Sequence, residues 1–404
     1  MIRLRSLYHY LLAWLGSLIY RNPSKEIFVL GVTGTKGKST VLELINAILE
    51  AAGKKTALIS SVRLKVDNFN RPNLTGMTMP GRFFIQRFMR EAVEKDCDYI
   101  LIEVTSQGIL QHRHKFIDFN SALFTNLEAE HIEAHGSFEN YRKSKSSFFE
   151  NVAHNSHKNP KLFFINKDAK DHDYFFQVIK GFGHYLPYSR KDVSKIKIKT
   201  KLLGEFNLEN IAAAVAFARA RNIDWDTIKN SIESFDGVPG RLEFIQKIPF
   251  SVIIDYAHTP DSLEKVYQTL KSKKSKAGSQ RLLCVLGAAG GGRDMWKRPV
   301  MGEIAAKYCD QIILTNEDPF DEDPGEILNQ IEAGIMGDGR KKVKKILDRK
   351  EAIRAAIKIA KKDDTVIITG KGSEPFMRVA GGKKISWNER EIVMKILNNE
   401  RIEI

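Results

Sequence analysis

The stretch Phe28-Val-Leu-Gly-Val-Thr-Gly-Thr-Lys-Gly-Lys-Ser-Thr40 decides how the first half of this chain folds. Its apolar, β-prone start runs into a glycine-punctuated loop. Lys38-Ser39-Thr40 then opens a helical pattern carried by Val41, Leu42, Ile45, Ile48 and Leu49. Strand, glycine-rich loop and helix in that order cradle phosphate, because backbone N–H groups and the helix N-terminus face the anion. Lys38 would reach the β- and γ-phosphates of a nucleotide, and the hydroxyl of Ser39 or Thr40 would sit on Mg²⁺. Val32 stands where the common G-x-x-x-x-G-K-[ST] spacing has its first glycine, so the motif is Gly34-Thr-x-Gly-Lys-Ser-Thr40.

Outward from this loop, strand and helix signals alternate, the mark of a mostly parallel sheet. Strands are expected at 27–32, 56–60, 99–104, 122–125 and 162–165, with a helical pattern at 84–94 between them. Residues 195–203 read as an extended strand and 207–221 as an alanine-rich helix. Gly237-Val-Pro-Gly240 is a turn that suits a domain boundary. Beyond it, short β-rich runs at 251–255, 281–287, 311–315 and 365–369 each precede a helical segment. The expected architecture is α/β: a central P-loop domain with a mostly parallel sheet over 26–243, and a Rossmann-like α/β domain over 244–404. Residues 1–25 form an amphipathic helix whose leucine face (Leu4, Leu7, Leu11, Leu15, Leu18, with Tyr8, Leu12 and Ile19 beside it) is expected to pack on the body of the protein.

Composition narrows the class. A content of 43% hydrophobic and 28% charged residues in 404 is that of a globular protein with room for two or three cores. The net charge of +15 is spread over a lysine-rich surface without aromatic interleaving, so no nucleic-acid partner is expected. Cys97, Cys284 and Cys309 have no metal-ligand or framework spacing and read as reduced core residues of a cytoplasmic protein. The apolar run from Leu7 to Tyr20 falls short of the roughly 20 residues needed to span a bilayer and has no cleavage site. Peripheral membrane contact through Trp14, Arg3, Arg5 and Arg21 is the alternative reading of this segment.

Several constellations carry chemistry. Glu103 ends an apolar strand beside the phosphate loop, where a carboxylate can hold Mg²⁺ directly or through water. His131 and His135 flank Glu133 without the H-E-x-x-H spacing, which excludes a zinc-protease reading and leaves hard-metal ligand and core histidine both open. Lys145 lies on a helix, where residue type alone assigns it no role. Gly287-Ala-Ala-Gly-Gly-Gly-Arg-Asp294, with Lys297-Arg298-Pro299, sets cations near a flexible turn, where they can clamp a phosphoryl group.

Taken together the motifs resemble the Mur ligase superfamily, most closely the MurE-type ligases that add the third residue of the peptidoglycan stem peptide. The resemblance runs from about Glu26 to the C-terminus. It rests on Gly34–Thr40, Glu103-Val-Thr-Ser106, Thr125-Asn-Leu127 with His131 and His135-Gly136, and Tyr141-x-x-x-Lys145. It continues through Gly204-Glu-Phe-Asn-Leu-Glu-Asn210, Gly237-Val-Pro-Gly-Arg241, Asp255-Tyr-Ala-His-Thr-Pro260, Arg293-Asp294 with Lys297-Arg-Pro299, and Gly370-Lys-Gly372 with Glu374.

The resemblance implies ATP-dependent amide-bond formation through an acyl phosphate, joining an amino acid to a cell-wall precursor such as a UDP-MurNAc-peptide. It implies that Gly34, Thr35, Lys36, Gly37, Lys38, Ser39 and Thr40 bind the ATP phosphates. Asn207, Asn210, Arg241, Asp255, Tyr256, His258 and Arg293 would complete the ATP site. Two Mg²⁺ ions would be held by Ser39 or Thr40 with Glu103, and by His131 with a carbamylated Lys145. Lys38, Lys145, His131, Arg293 and Lys297 would be catalytic. Thr105, Ser106, Asn126, Asn316, Glu317, Asp318, Phe320, Gly370, Lys371 and Glu374 would bind the substrates.

Three departures stand out. Only some 25 residues precede the first strand, where MurE enzymes usually carry a UDP-binding domain of about a hundred, so a short form working as a monomer is expected. Glu317-Asp-Pro-Phe320 replaces Asp-Asn-Pro-Arg of the diaminopimelate enzymes. With acids at Glu317, Asp318, Asp321, Glu322 and Asp323, this favours an added amino acid with a cationic or neutral side chain. Gln107 and Ser373 stand where histidines are common. Folylpoly-γ-glutamate or poly-γ-glutamate synthesis and a non-catalytic nucleotide-binding partner are the alternative functions.

Overall fold

The computed structural model describes residues 2–128, 135–194, 196, 198–272, 280–292 and 294–400, so His131 and Arg293 lie outside the described residues. The chain divides into two compact units, Met1–Asp236 and Gly237–Ile404. That division falls at the start of the Gly237–Gly240 turn, ahead of the 243/244 boundary expected from sequence.

In the first unit the order is α1 (Ile2–Ile19), β1 (Phe28–Thr33), α2 (Lys38–Ala51), β2 (Thr56–Ile59), β3 (Arg63–Val66), β4 (Phe69–Pro72), α3 (Arg82–Glu94), β5 (Tyr99–Glu103), α4 (Ser106–Leu110), β6 (Ser121–Phe124), α5 (Phe138–Asn155), β7 (Leu162–Asn166), α6 (His172–Ile179), β8 (His184–Tyr188), α7 (Arg190–Ser194), α8 (Phe206–Ala220) and α9 (Trp225–Ser234). The sheet order is β4-β3-β2-β5-β1-β6-β7-β8. Its strands pair in parallel except for the antiparallel β2–β3–β4 edge. That edge turns back on itself, and the sequence reading missed it along with β8.

β1 is apolar almost throughout because both of its faces are buried. Val29 points into one core with Ile100, Phe119 and Phe148, while Leu30 and Val32 point into the other with Leu42, Ile45 and Phe217. Gly31 shares the face of Val29. A Cβ there would lie 2.4 Å from the Phe148 ring and 2.9 Å from that of Phe119, so the two rings close directly over the strand backbone. The loop that matters for function therefore leaves the middle of the sheet.

Two expectations for this unit are corrected. The described residues of the supposed strand at 195–203 form a turn and irregular chain. Ile198 and Leu202 do pack on the core, but the Lys199 N–H is given to Glu233 (3.3 Å) and the Lys201 ammonium to the Ser234 carbonyl (3.1 Å). Helix α9 thus receives the Lys199 N–H and the Lys201 side chain. The second correction concerns α1. It packs on α3 through its small residues, with Ala13, Gly16 and Ser17 buried and Gly16 against Phe83 and Gln86. Leu7, Leu11, Leu15 and Leu18 are exposed. Small side chains allow the two helices a close approach that the leucine face would have blocked.

The second unit runs β9 (Glu243–Gln246), β10 (Ser251–Ile254), α10 (Pro260–Ser272), β11 (Leu282–Leu286), α11 (Lys297–Tyr308), β12 (Gln311–Leu314), α12 (Pro324–Ala333), β13 (Val343–Lys345), α13 (Arg349–Ile359), β14 (Thr365–Ile368), β15 (Phe376–Arg378), β16 (Lys384–Ser386) and α14 (Glu389–Glu400). Its main sheet is β13-β12-β11-β14-β10-β9, parallel but for the antiparallel edge strand β9. Cys284 on β11 and Cys309 after α11 are joined in a disulfide, with Cα atoms 6.1 Å apart, and only Cys97 is free. This corrects the expectation of three reduced thiols. The β11–α11–β12 crossover returns the chain beside its starting strand, and no spacing rule in the sequence reports that return.

His114, between α4 and β6, is 2% exposed, and burial first, then the Lys115 and His112 charges, push its pKa down to about 3 from 6.5. The unfolded chain therefore takes up this proton first. Stability should be level above pH 6.5 and fall as the pH drops from 6.5 toward 3. His114→Gln should flatten that slope in a melting-temperature series against pH. An unchanged slope would show that other groups set it.

Candidate active site

The loop between β1 and α2 is a left-handed glycine turn fixed from two sides. Gly34 has φ 142° and Gly37 φ 83°, in the region that favours glycine. A Cβ on Gly34 would lie 2.0 Å from the Thr125 hydroxyl, and one on Gly37 would lie 2.2 Å from Oδ1 of Asn210. After β6, Thr125 and Asn126 brace the loop. The Thr35 N–H donates to the Asn126 carbonyl (2.9 Å), the Lys36 N–H donates to Asn126 Oδ1 (2.9 Å), and the Thr125 hydroxyl donates to the Lys36 carbonyl (2.7 Å). Asn126, expected at the substrate, is thus committed by its side chain to the loop backbone. Asn210, expected at the nucleotide base or ribose, rests on Gly37 and donates to Asn207 Oδ1 (2.8 Å), while Asn207 donates to the Leu203 carbonyl (2.6 Å).

Two lysines converge on this turn. Lys38 Nζ donates to the Thr35 carbonyl (2.8 Å), and Lys145 Nζ, from α5, donates to the neighbouring Gly34 carbonyl (2.7 Å). Lys145 is 2% exposed and lies 4.8 Å from the Tyr141 ring centroid, one helical turn back on the same face. The Tyr141 hydroxyl meets that of Thr35 at 3.0 Å. Directly opposite Val32 in the β1–β5 register stands Glu103. Its Oε2 accepts from the Ser39 hydroxyl (3.0 Å) and the Ser61 N–H (2.9 Å), and its Oε1 lies 3.8 Å from Lys38 Nζ. Ser39 therefore is the hydroxyl bonded to the carboxylate; both Ser39 and Thr40 are buried.

Thr105 caps α4 by accepting the Gly108 N–H (3.1 Å). Ser106 meets His135 Nε2 at 3.2 Å. Burial, and then the Lys145 charge, hold the His135 pKa below its ordinary value. Among the described residues no group of three His, Cys, Asp or Glu side chains could hold a metal ion. Ser39 and Glu103 nonetheless form an oxygen pair of the hard kind that suits Mg²⁺ bound largely through phosphate and water.

In the second unit, the loops following β10, β11, β12 and β14 lie at the carboxyl ends of adjacent parallel strands, where open α/β sheets bind ligands. They interlock closely. A Cβ on Gly370 would lie 2.0 Å from Glu317 Oε2, and one on Gly240 would lie 2.3 Å from the Ser373 nitrogen. Lys371 Nζ is held by Asp318 (2.8 Å) and Glu374 (2.6 Å), and Tyr256 donates to the other oxygen of Glu374 (3.0 Å). Burial would depress the Lys371 pKa, but these two carboxylates outweigh it and hold it above its ordinary value. Arg241 lies 4.2 Å from the Tyr256 ring centroid, and His258 is hydrogen-bonded to the Tyr256 carbonyl (2.8 Å).

Asp255 turns inward. Its two oxygens accept the N–H groups of Leu242 and Ala257 (2.7 Å each), and burial raises its pKa against the opposing charge of Arg241. Asn316 engages its backbone with Leu347 and Arg349 (3.3 Å each). Lys297 is buried at the first turn of α11.

Within the acidic run of 317–323, Asp318, Asp321, Glu322 and Asp323 are engaged inside this unit, while Glu317 Oε2 is buried with no hydrogen-bond partner among the described residues. Glu317 is buried and its pKa is raised by that burial. Asp318 holds Lys371 and the Arg378 N–H. Asp321 accepts the Gly381 N–H (2.7 Å), Glu322 pairs with buried Arg298 (2.8 Å), and Asp323 caps α12 (2.8 Å to the Glu326 N–H). Phe320 itself is in the left-handed region at φ 54°, with the guanidinium of Arg378 6.0 Å from its ring centroid. Arg378 was not singled out from sequence, because backbone pairing across nearly sixty residues brings it to Phe320: the Phe320 N–H donates to its carbonyl (3.2 Å), and its own N–H to Asp318.

The Gly37 turn generates a direct test. Gly37→Ala adds both a positive-φ cost of about 1–3 kcal/mol and a clash with Asn210. In thermal melts, Gly37→Ala with Asn210→Ala should recover only part of the loss, because the second change relieves the clash and leaves the φ cost. Full recovery would mean that the backbone conformation at Gly37 carries no strain.

Comparisons with known proteins agree with these motifs. Residues 32–192 match the Mur ligase middle domain and residues 240–372 match the Mur ligase glutamate ligase domain. The chain is 37% identical over 411 residues to a UDP-N-acetylmuramoyl-L-alanyl-D-glutamate–2,6-diaminopimelate ligase of Syntrophomonas wolfei, covering 96% of this chain and 82% of that one. A solved structure of an enzyme of that name superposes with TM-score 0.61 at 26% identity, covering 93% and 79%. The fold is also that of Mycobacterium tuberculosis folylpolyglutamate synthase complexed with ADP and AMPPCP, with TM-score 0.67 at 16% identity, covering 89% and 92%. With two family domains in order along the chain and a relative at this identity, the protein belongs to the Mur ligases, ATP- and Mg²⁺-dependent amide-bond-forming enzymes.

Proposed function

We propose that this protein joins an amino acid to the free carboxylate of a UDP-MurNAc-peptide-like cell-wall precursor. The observation that carries the reading is the convergence of Lys38 and Lys145 on consecutive carbonyls of a phosphate-type loop, with Ser39 and Glu103 alongside. The N–H groups at the N-terminus of α2 and the Lys38 ammonium bind the β- and γ-phosphates of ATP. The acceptor carboxylate attacks the γ-phosphorus and ADP leaves. The amine of the incoming amino acid then adds to the acyl carbon, phosphate departs, and the amine's proton is lost. Ser39 and Glu103 would hold Mg²⁺, which when bound would neutralise phosphate charge.

Lys145 is assigned as a carbamylated lysine. An ammonium buried next to Lys38 faces repulsion that rises steeply at low dielectric. Addition of its neutral amine to CO₂, with loss of a proton, replaces that cation with an oxygen-bearing anion able to hold a second Mg²⁺. His131 is the family partner proposed for that ion. The domain limits 1–25, 26–243 and 244–404 remain our proposed functional division.

ADP release should require ATP, the precursor and an amino acid together. Lys38→Ala should lower turnover by about a hundredfold or more. Lys145→Ala should be nearly inactive and regain part of its activity with formate or acetate. Turnover of ATP without acceptor and amino acid, or a Lys145→Ala enzyme as active as wild type, would overturn the assignment.

We infer further that the amino acid carries a distal carboxylate, as diaminopimelate does, and that Arg378 receives it in place of the arginine absent at position 320. The proximity of Arg378 to Phe320 supports this, as does the engagement of Asp318, Asp321, Glu322 and Asp323 within the unit. Arg378→Ala should raise KM for diaminopimelate about tenfold or more, the worth of a charge-assisted contact, and leave any turnover of lysine unchanged. A preference for lysine in the unsubstituted enzyme would reject the inference.

A further inference from the structure

Helix α1 is built inside out. At 3.6 residues per turn, positions 7, 8, 10, 11, 14, 15, 18 and 19 form one continuous face. It holds Leu7 (56% exposed), Tyr8 (59%), Tyr10 (41%), Leu11 (49%), Trp14 (47%), Leu15 (42%), Leu18 (46%) and Ile19 (55%). No Asp, Glu, Lys or Arg occurs between residues 7 and 19. The opposite face, directed at α3, carries Ala13, Gly16 and Ser17, all buried. An ordinary surface helix has the reverse arrangement, with its polar side to water. Contiguous apolar surface of this kind marks an interaction site. The attachment to the body is firm: Gly16 lies against Phe83 and Gln86, and Arg90 of α3 donates to the carbonyls of Tyr20 and Arg21 (3.1 Å each) at the helix end.

Charge selects the occupant. The first 25 residues contain Arg3, Arg5, Arg21 and Lys25 and no Asp or Glu, in a chain of net charge +15. Arg21 and Lys25 are exposed just past the C-terminal end of the helix. A second copy of the chain would set like charges against like, whereas an anionic lipid surface complements them. The side chains also suit the site: Trp and Tyr prefer the level of the lipid headgroups, and leucines reach the acyl boundary. Among the described residues no helix is long and apolar enough to cross a membrane, so α1 would lie in the interface.

We propose that the exposed face of α1 docks this enzyme on anionic phospholipid membranes, with the helix parallel to the surface and its apolar side chains inserted. This rests on the packing of α1 and is independent of which amino acid or precursor is joined.

The test is flotation of the full chain with phosphatidylcholine vesicles, pure or containing about one-third phosphatidylglycerol. The protein should float with the anionic vesicles and bind less at high salt. Leu11→Glu with Leu18→Glu should lower the bound fraction about tenfold or more, with melting temperature and ATP turnover unchanged. Arg21→Gln with Lys25→Gln, which leaves the apolar face intact, should weaken binding to anionic vesicles alone. Absence of flotation, equal flotation of wild type and both variants, or a wild-type dimer that the leucine substitutions convert to monomer would each overturn the proposal.

Discussion

The first unit depends on a close approach at the end of its central strand. Only a residue without a side chain fits at Gly34 and Gly37, since Thr125 lies 2.0 Å from where one Cβ would be and Asn210 lies 2.2 Å from the other. Those two contacts come from opposite directions, one from the loop after β6 and one from α8. The turn is thereby clamped, with the Thr35 and Lys36 amides donated to Asn126, and the cost of holding backbone in a sparsely populated region is met by packing around it. The position of Lys38 at the start of α2, the reach of Ser39 to Glu103 and the approach of Lys145 all follow from that clamp.

Charge is the second organising constraint. Two lysines lie at adjacent carbonyls of one loop, and the Glu103 carboxylate lies 3.8 Å from the Lys38 ammonium. An arrangement this rich in cations suits an anion of several charges better than it suits the loop by itself. In the second unit the balance is different. Lys371 is enclosed by Asp318 and Glu374, and Arg349 by Glu389, with both Arg349 and Glu389 fully buried. A pair of that kind contributes little net stability when intact but is costly to break, so it fixes loop positions rather than adding to the core.

Helix α1 shows how amphipathicity can mislead. A leucine face normally marks the side turned toward the core, because burying it removes apolar area from water. Here the small residues decide the packing, since Gly16 and Ala13 let α1 lie close on α3, and the leucines are left outside. The same logic of local pattern against spatial partner explains residues 198–203, where Lys199 and Lys201 bond to α9 instead of a neighbouring strand.

The phosphate loop, the parallel α/β order and the family were legible in the sequence because they depend on residues close together along the chain. A β-prone run, glycines at fixed offsets and a helical apolar period each report on local backbone. Tyr141 and Lys145 could be paired by their four-residue spacing, and Glu103 could be placed at a strand end. What only the tertiary structure decided are the meetings between distant segments. These include Asn126 bracing the loop, Ser61 donating to Glu103, the pairing of Cys284 with Cys309, Arg378 beside Phe320, and the engagement of Asp318, Asp321, Glu322 and Asp323 within the unit. Each depends on which strand ends lie side by side, and crossover connections of variable length erase that information from sequence spacing. The direction in which α1 turns its leucines was undetermined for the same reason: a helical period defines two faces, and only the shape of the partner chooses between them.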